Sequence, residues 1–329
     1  MCRKYDTPSF VLQTFIPPSA RDAYLAIRAL NVDVARVADI TSHPTVGALR
    51  MQFWRDAISS ALAGTPKKEP VAILLASANE DIQIRSNGKA RFSKSWLNRI
   101  INTREQYLGN PPYPTLAALE TYAENTYSTL LYLTLSALPL ASLTADHLAS
   151  HIGKATGIAA VLRGLPLVAF PPPPPTHHTS NAKGGAMSAA PQGAVLLPLD
   201  IMAQSGVQEE RVLREGAAAA GLRDAVFAVA TRANDHLITA REMLKNLKAG
   251  RDVGHEFEHL DDREHAAVRT DNQLEEVERG FGVLMPAVAT QLWLDQLQKT
   301  DFDIFDQRLR RTDWKLPWKA YWAFSRRQL

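Results

Sequence analysis

From Tyr24 to Ile40 the apolar residues Tyr24, Leu25, Ile27, Leu30, Val32, Val34, Val37 and Ile40 surround most of a helix. This is the pattern of a helix buried among other helices rather than lying on a surface. The stretch constrains the fold more than any other because it also carries Arg28, Asn31, Asp33, Arg36 and Asp39. An unpaired buried charge is too costly to keep. These side chains must therefore be paired, hydrated in a cavity or aimed at a ligand. For Asp33, Arg36 and Asp39 the simplest arrangement is a ladder of i,i+3 ion pairs.

Helical periodicity recurs along the chain and strand signals are nearly absent, so the fold class is all-α. Breaks fall at Pro66–Pro70 (PKKEP), Gly109–Pro114 (GNPPYP) and Pro139–Leu143. Val71 to Ala78 reads as a short apolar helix, followed by a polar stretch to Lys94 and a helix through Trp96, Ile100, Ile101 and Tyr107. Thr115 is positioned to cap a long apolar segment, Leu116 to Leu138, and Thr144 to cap a helix from Ala145 to Leu165. Residues 1–329 read as a single domain with two insertions. Residues 170–193 are a disordered, proline-rich insertion and residues 248–278 a charged one.

At 46% hydrophobic and 22% charged residues, the chain has the composition of a globular protein. A net charge of +3, spread evenly and without RNP, KH or zinc-finger spacing, argues against a nucleic-acid partner. One cysteine, Cys2, rules out an intramolecular disulfide and fits a reducing compartment. No window approaches about 18 uninterrupted apolar residues, so no transmembrane helix is expected. His255 to His259 (HEFEH) formally matches the H-E-x-x-H zinc pattern, but it lies between glycines and an acidic run with almost no apolar face. We read it as accidental, and His147 and His151 as a surface pair. No P-loop, dinucleotide fingerprint or nucleophile elbow is present. The expectation is no metal, no cofactor and no catalytic residue.

The runs RALNVDVARVAD and PTVGALRMQFWRDAI, with LPLD and GV at Leu197–Asp200 and Gly206–Val207, resemble the squalene/phytoene synthase family. The resemblance implies an all-α, isoprenoid-synthase-like domain. Members that join two prenyl diphosphates hold Mg²⁺ through paired aspartates four apart on this helix and through a second aspartate-rich motif. Here Asp33 falls on the first position and Val37 on the second, and no acidic residue occurs between Gly157 and the polyproline run. Asp39 lies roughly 120° round the helix from Asp33 and does not substitute. Asp200 reads instead as the N-cap of a helix starting at Ile201.

By this resemblance the vestigial-site or cavity-lining candidates are Asp33, Arg50, Arg55, Tyr122 and Arg163. A narrower resemblance, through segments spread from RKYDTPSF to DFDIFDQRL, is to non-enzymatic members of the family that help build mitochondrial complex I. It implies complex I subunits or other assembly factors as partners, on the matrix side of the inner membrane. The alternatives are a prenyl-diphosphate transferase with an atypical Mg²⁺ site, and a lipid-binding protein that keeps the apolar tunnel.

In the tail, Trp314, Trp318 and Trp322 recur every four residues, accompanied by Lys315 and Lys319. Tryptophan favours membrane interfaces and Lys is drawn to anionic headgroups. These five residues are membrane-contact candidates. The competing expectation is that aromatic residues at helical spacing pack on the core.

Overall fold

The structure, a computed structural model, describes residues 1–41, 43–138, 140, 142–171, 193–251 and 273–329. The polyproline run beyond Pro171 and the HEFEH segment lie outside the described residues. All regular structure among the described residues is helical, in agreement with the all-α expectation. The elements that build the domain are α1 (Cys2–Tyr5), α2 (Thr7–Leu12), α3 (Pro18–Ile40), α4 (Pro44–Leu62), α5 (Pro70–Arg85) and α6 (Lys94–Gln106). They continue with α7 (Leu116–Ala123), α8 (Thr129–Ser136), α9 (Leu143–Ala169), α10 (Leu199–Gln204), α11 (Glu209–Glu215) and α12 (Leu222–Lys248). After the described helical residues 273–279 (α13) come α14 (Pro286–Lys299) and α15 (Leu316–Arg326).

Helix α9 is the axis of the fold, packed by α7, α8, α12 and α14. By length and composition it could cross a membrane, but 61% of its most apolar window is buried inside the fold. It is a core helix. Its small residues explain how neighbours reach it. A Cβ at Gly153 would lie 2.3 Å from the Cα of Ser128, and one at Gly157 would lie 2.5 Å from the Cβ of Ala123. Two glycines four apart thus open one face of α9 to close helix approach.

That approaching segment is not the continuous α-helix the sequence pattern predicts. Between α7 and α8, Glu124–Ser128 form a π turn. The Glu124 carboxylate accepts from Tyr132 Oη at 2.6 Å and from Ser150 Oγ at 2.8 Å, which ties the turn to α9. Three further expectations are corrected. The apolar run at Val71 is the first half of a longer helix, α5. The cap of α9 is Ser142, whose hydroxyl accepts from the amide of Ala145 at 3.2 Å, while the Thr144 hydroxyl donates to Gln273 at 2.9 Å. Asp200 is already inside the first turn of α10, and it caps a different helix. Both of its oxygens accept from the Leu116 amide at 3.1 Å, at the start of α7.

Thr115 does cap α7 as read, accepting from Ala118 at 3.1 Å. The start of α7 therefore has two side-chain caps, one local and one 84 residues away. Asp200→Ala should lower unfolding stability by about 1 kcal/mol, the ordinary worth of an N-terminal cap. A urea midpoint for the variant against the wild type measures this.

Candidate functional site: a tyrosine-lined central cavity

Helix α3, α6, the break at 110–113, α7 with its π turn, and α9 enclose a cavity of about 290 Å³. Its polar centre is Arg104, from the last turn of α6, which is buried. The guanidinium donates to Asn31 Oδ1 at 2.7 Å and to the Tyr122 hydroxyl at 3.0 Å. Its Nε is buried without a partner. Around it the rings of Tyr107, Tyr113 and Tyr122 meet pairwise at 4.6 to 5.4 Å. Burial, with the neighbouring phenols, holds the Tyr113 hydroxyl well above its ordinary pKa. These hydroxyls are hydrogen-bonding groups, not bases.

The wall from α3 presents Val34, Ala35, Ala38 and Asp39. Asp39 is accessible at the mouth but enclosed by protein on its other sides. That enclosure pushes its carboxyl up, against the opposing pull of Arg36 and Arg104. The opposite wall, from α9, presents Ala160, Val161, Gly164 and Val168. Among the described residues it offers no side-chain oxygen. A Mg²⁺ cluster held between paired carboxylates needs oxygen ligands from both walls, so these residues do not fit the metal cage that the family resemblance implies.

Of the five cavity candidates read from the sequence, Tyr122 is among the lining residues. Asp33 is half-buried on another face of α3, where burial first and then the charge of Glu69 at the start of α5 raise its pKa. Arg50 is exposed. Arg55 joins α4 to α6, donating to Asn102 Oδ1 at 2.9 Å and pairing with Glu105. Arg163 stacks on Trp293, 5.3 Å from the ring centroid, and borders a different groove. The expected Asp33–Arg36–Asp39 ladder does not form either. The Arg36 guanidinium lies 3.9 Å from the ring centroid of Tyr5, and the buried Arg28 lies over Tyr24 at 5.2 Å.

The helical wheel hides the Tyr122–Tyr127 pairing. Five residues at about 100° each place them roughly 140° apart on an α-helix. The π turn, with i→i+5 bonding, brings both to the cavity. Arg104 carries no sequence signal either, because amphipathic spacing in RIINTREQY does not say whether its arginine meets solvent or a cavity.

A second polar cluster, half-buried around the buried His236, corrects the surface-pair reading of His151. The Nδ1 atoms of His151 and His236 are 3.0 Å apart, and His236 Nε2 lies 2.7 Å from Glu120 Oε1. Arg232 Nε donates to the same oxygen at 2.6 Å. Burial first, then the charge of His236, lowers His151 to about 4. The unfolded chain binds this proton near pH 6.5, so the contribution to stability is present above that pH and is lost as pH falls towards about 4. Discounted for the half-exposed position, the loss should be about 1–2 kcal/mol. Urea midpoints between those pH values, compared with His151→Gln, should show the wild type losing more on acidification.

The squalene/phytoene synthase family model matches residues 2–318 of this chain. Over 321 residues the chain is 33% identical to the mouse (Mus musculus) protein named NADH dehydrogenase (ubiquinone) complex I, assembly factor 6, covering 98% of this chain and 79% of the mouse one. The human (Homo sapiens) protein of that name is 32% identical over the same shares. The Drosophila melanogaster homolog is 28% identical over 331 residues, covering 98% of this chain and 80% of its own. Among solved structures, a dehydrosqualene synthase with bound ligand superposes with a TM-score of 0.65 at 12% identity, over 99% of this chain and 93% of that one. Squalene synthase HpnC from Alicyclobacillus acidocaldarius gives 0.58 at 13%, over 89% and 88%. At such identities these two structures speak for the fold alone. The family match and the relatives each extend over nearly the whole length, and this chain belongs to the squalene/phytoene synthase family.

Proposed function

We propose that this chain is an assembly factor for mitochondrial respiratory complex I, which uses the squalene/phytoene synthase frame without prenyl transfer. The observation that carries the reading is the central cavity. Among the described residues its α9 wall has no oxygen donor, and its volume is about 290 Å³. A pocket for one drug-sized ligand runs from about 300 to 1,000 Å³, so two prenyl diphosphates have neither the room nor the metal cage. The relatives named as complex I assembly factors support the same reading. On it, the partners are complex I subunits or other assembly factors, on the matrix side of the inner membrane. Nucleic acid has no part.

Membrane contact belongs to this proposal. On α15 and the turn before it, Trp314, Trp318 and Trp322 are 76%, 66% and 56% exposed. Only the buried side of the helix, with Leu316 and Ala320, and Phe324 against Phe15 at 5.1 Å, packs on the domain. With Lys315 and Lys319 beside them, the tryptophans form a face suited to a lipid interface.

Incubating the purified chain with farnesyl diphosphate and Mg²⁺ tests the non-enzymatic reading. Diphosphate release should not exceed the protein-free rate. Release that disappears in Asp39→Ala would refute it. The lipid-binder alternative draws on one observation, the partnerless Nε of Arg104 facing a tyrosine-lined cavity. Native mass spectrometry showing a co-purified lipid, lost on Arg104→Met, would favour that alternative.

A further inference from the structure

A second groove, of about 600 Å³, lies between the N-terminal helices, the C-terminal half of α14 and the turn that leads into α15. It shares no lining residue with the central cavity. Lys4, Arg163, Lys299, Arg310, Arg311 and Lys315 line it, and Asp313 is the one carboxylate lining it among the described residues. A further cation there, Arg308, is already held by Asp306, through contacts of 2.7 to 3.1 Å. Lys299, Arg310 and Arg311 have no ion pair among the described residues. The groove is therefore a concentration of uncompensated positive charge, which attracts an anion of more than one charge or one fixed in a surface.

Two other features specify the ligand further. The floor is apolar, with Leu292, Trp293, Leu309 and Leu316 all buried beneath the cations. Within it the indole Nε1 of Trp293 is buried without an acceptor, and an orphaned donor of this kind costs free energy until something accepts from it. A small soluble anion would use the cations and leave the apolar floor wet. A phosphate bonded to a glycerol and acyl chains would use both. The groove also opens at Trp314, where the exposed aromatic face of α15 begins.

We propose that this groove holds the phosphate headgroup of an anionic phospholipid while the α15 tryptophans sit in the same leaflet. The proposal rests on the membrane-contact reading above and assigns it a lipid class. Charge from Lys299, Arg310 and Arg311 draws the headgroup in, Trp293 donates to a phosphate oxygen, and the leucines meet the glycerol and upper acyl carbons.

Flotation of the full chain with vesicles of phosphatidylcholine alone, and with a minor fraction of phosphatidylglycerol, tests it. Binding to the anionic vesicles should exceed binding to the neutral ones. Near an anionic leaflet each basic residue is worth about 1 kcal/mol, so Arg310→Glu with Arg311→Glu should weaken anionic binding by about tenfold or more. Trp293→Phe keeps the charge and an aromatic ring at this position and removes the indole N–H. It should weaken anionic binding several-fold and leave neutral binding unchanged, with thermal melts showing that both variants fold. No flotation with either vesicle overturns the membrane contact and the groove together. Equal binding of wild type to both vesicles overturns the groove and leaves the membrane contact standing. Unchanged anionic binding in Trp293→Phe overturns the groove as a site, since general surface charge would then suffice. Release of the chain from anionic vesicles by inorganic phosphate, beyond the release by chloride at equal ionic strength, is the expected result. Inorganic phosphate that binds the wild type but not Trp293→Phe, with equal flotation on both vesicles, assigns the groove to free phosphate and overturns the lipid.

Discussion

Gly153→Ala should destabilise the fold by about 3 kcal/mol or more, although alanine is the better helix former by about 1 kcal/mol. The added Cβ would stand 2.3 Å from the Cα and Oγ of Ser128 and 2.5 Å from its amide nitrogen. Two of those three atoms are backbone, so no rotamer change relieves the clash, and the π turn must move away from α9. The Ser128 hydroxyl bond to the Ser150 carbonyl, at 3.0 Å, moves with it. Gly164→Ala on the same helix is the control. Nothing lies within 4 Å of its added carbon, and this variant should gain up to about 1 kcal/mol from helix propensity. Opposite shifts of the urea midpoint for the two variants are the expected result. Equal shifts would mean that close helix approach at Gly153 is not what holds α7, the π turn and α8 against α9.

Asn31→Leu is expected to cost about 2–3 kcal/mol. Asn31 is buried on α3, and its carbonyl oxygen is the 2.7 Å acceptor for Arg104. Removing it strips a hydrogen bond from a buried cation whose Nε already lacks a partner, and bonds to charged groups are worth about 1.5–3 kcal/mol. The double variant Asn31→Leu with Arg104→Met removes the cation as well, so part of the loss should return. A double-mutant cycle on urea midpoints measures that recovery. Additive losses would show that the two side chains act independently.

The helices were legible because apolar spacing and proline breaks are local signals. The cap at Thr115 came directly from residue order, and so did the burial of most of the apolar residues of α3, although Leu25 is half-buried and Ile40 exposed. What sequence order did not carry was register and long-range partnership. Asp33 sits two positions past Asn31 on α3, roughly 160° round the helix, and that rotation decides that Asn31 meets Arg104 while Asp33 faces Glu69. Arg104 and Asn31 are 73 residues apart, and Asp200 reaches Leu116 over 84. No periodicity announces either contact. Pattern reading also assumed an unbroken α-helix from Leu116 to Leu138, which places Tyr122 and Tyr127 on different faces. The π turn undoes that assumption. For the α15 tryptophans residue order leaves a choice between core and surface, and the structure, with Leu316 and Ala320 buried, leaves Trp314, Trp318 and Trp322 exposed.

The central claim is that the chain supports complex I assembly without metal-dependent prenyl chemistry. The most direct measurement is the level of assembled complex I on native gels, after deletion of the chain and re-expression of either wild type or Asp39→Ala. Asp39 is the one carboxylate lining the central cavity among the described residues. The account predicts that complex I falls on deletion and returns equally with both versions. Normal complex I after deletion, or restoration by wild type but not by a stably expressed Asp39→Ala, would contradict it.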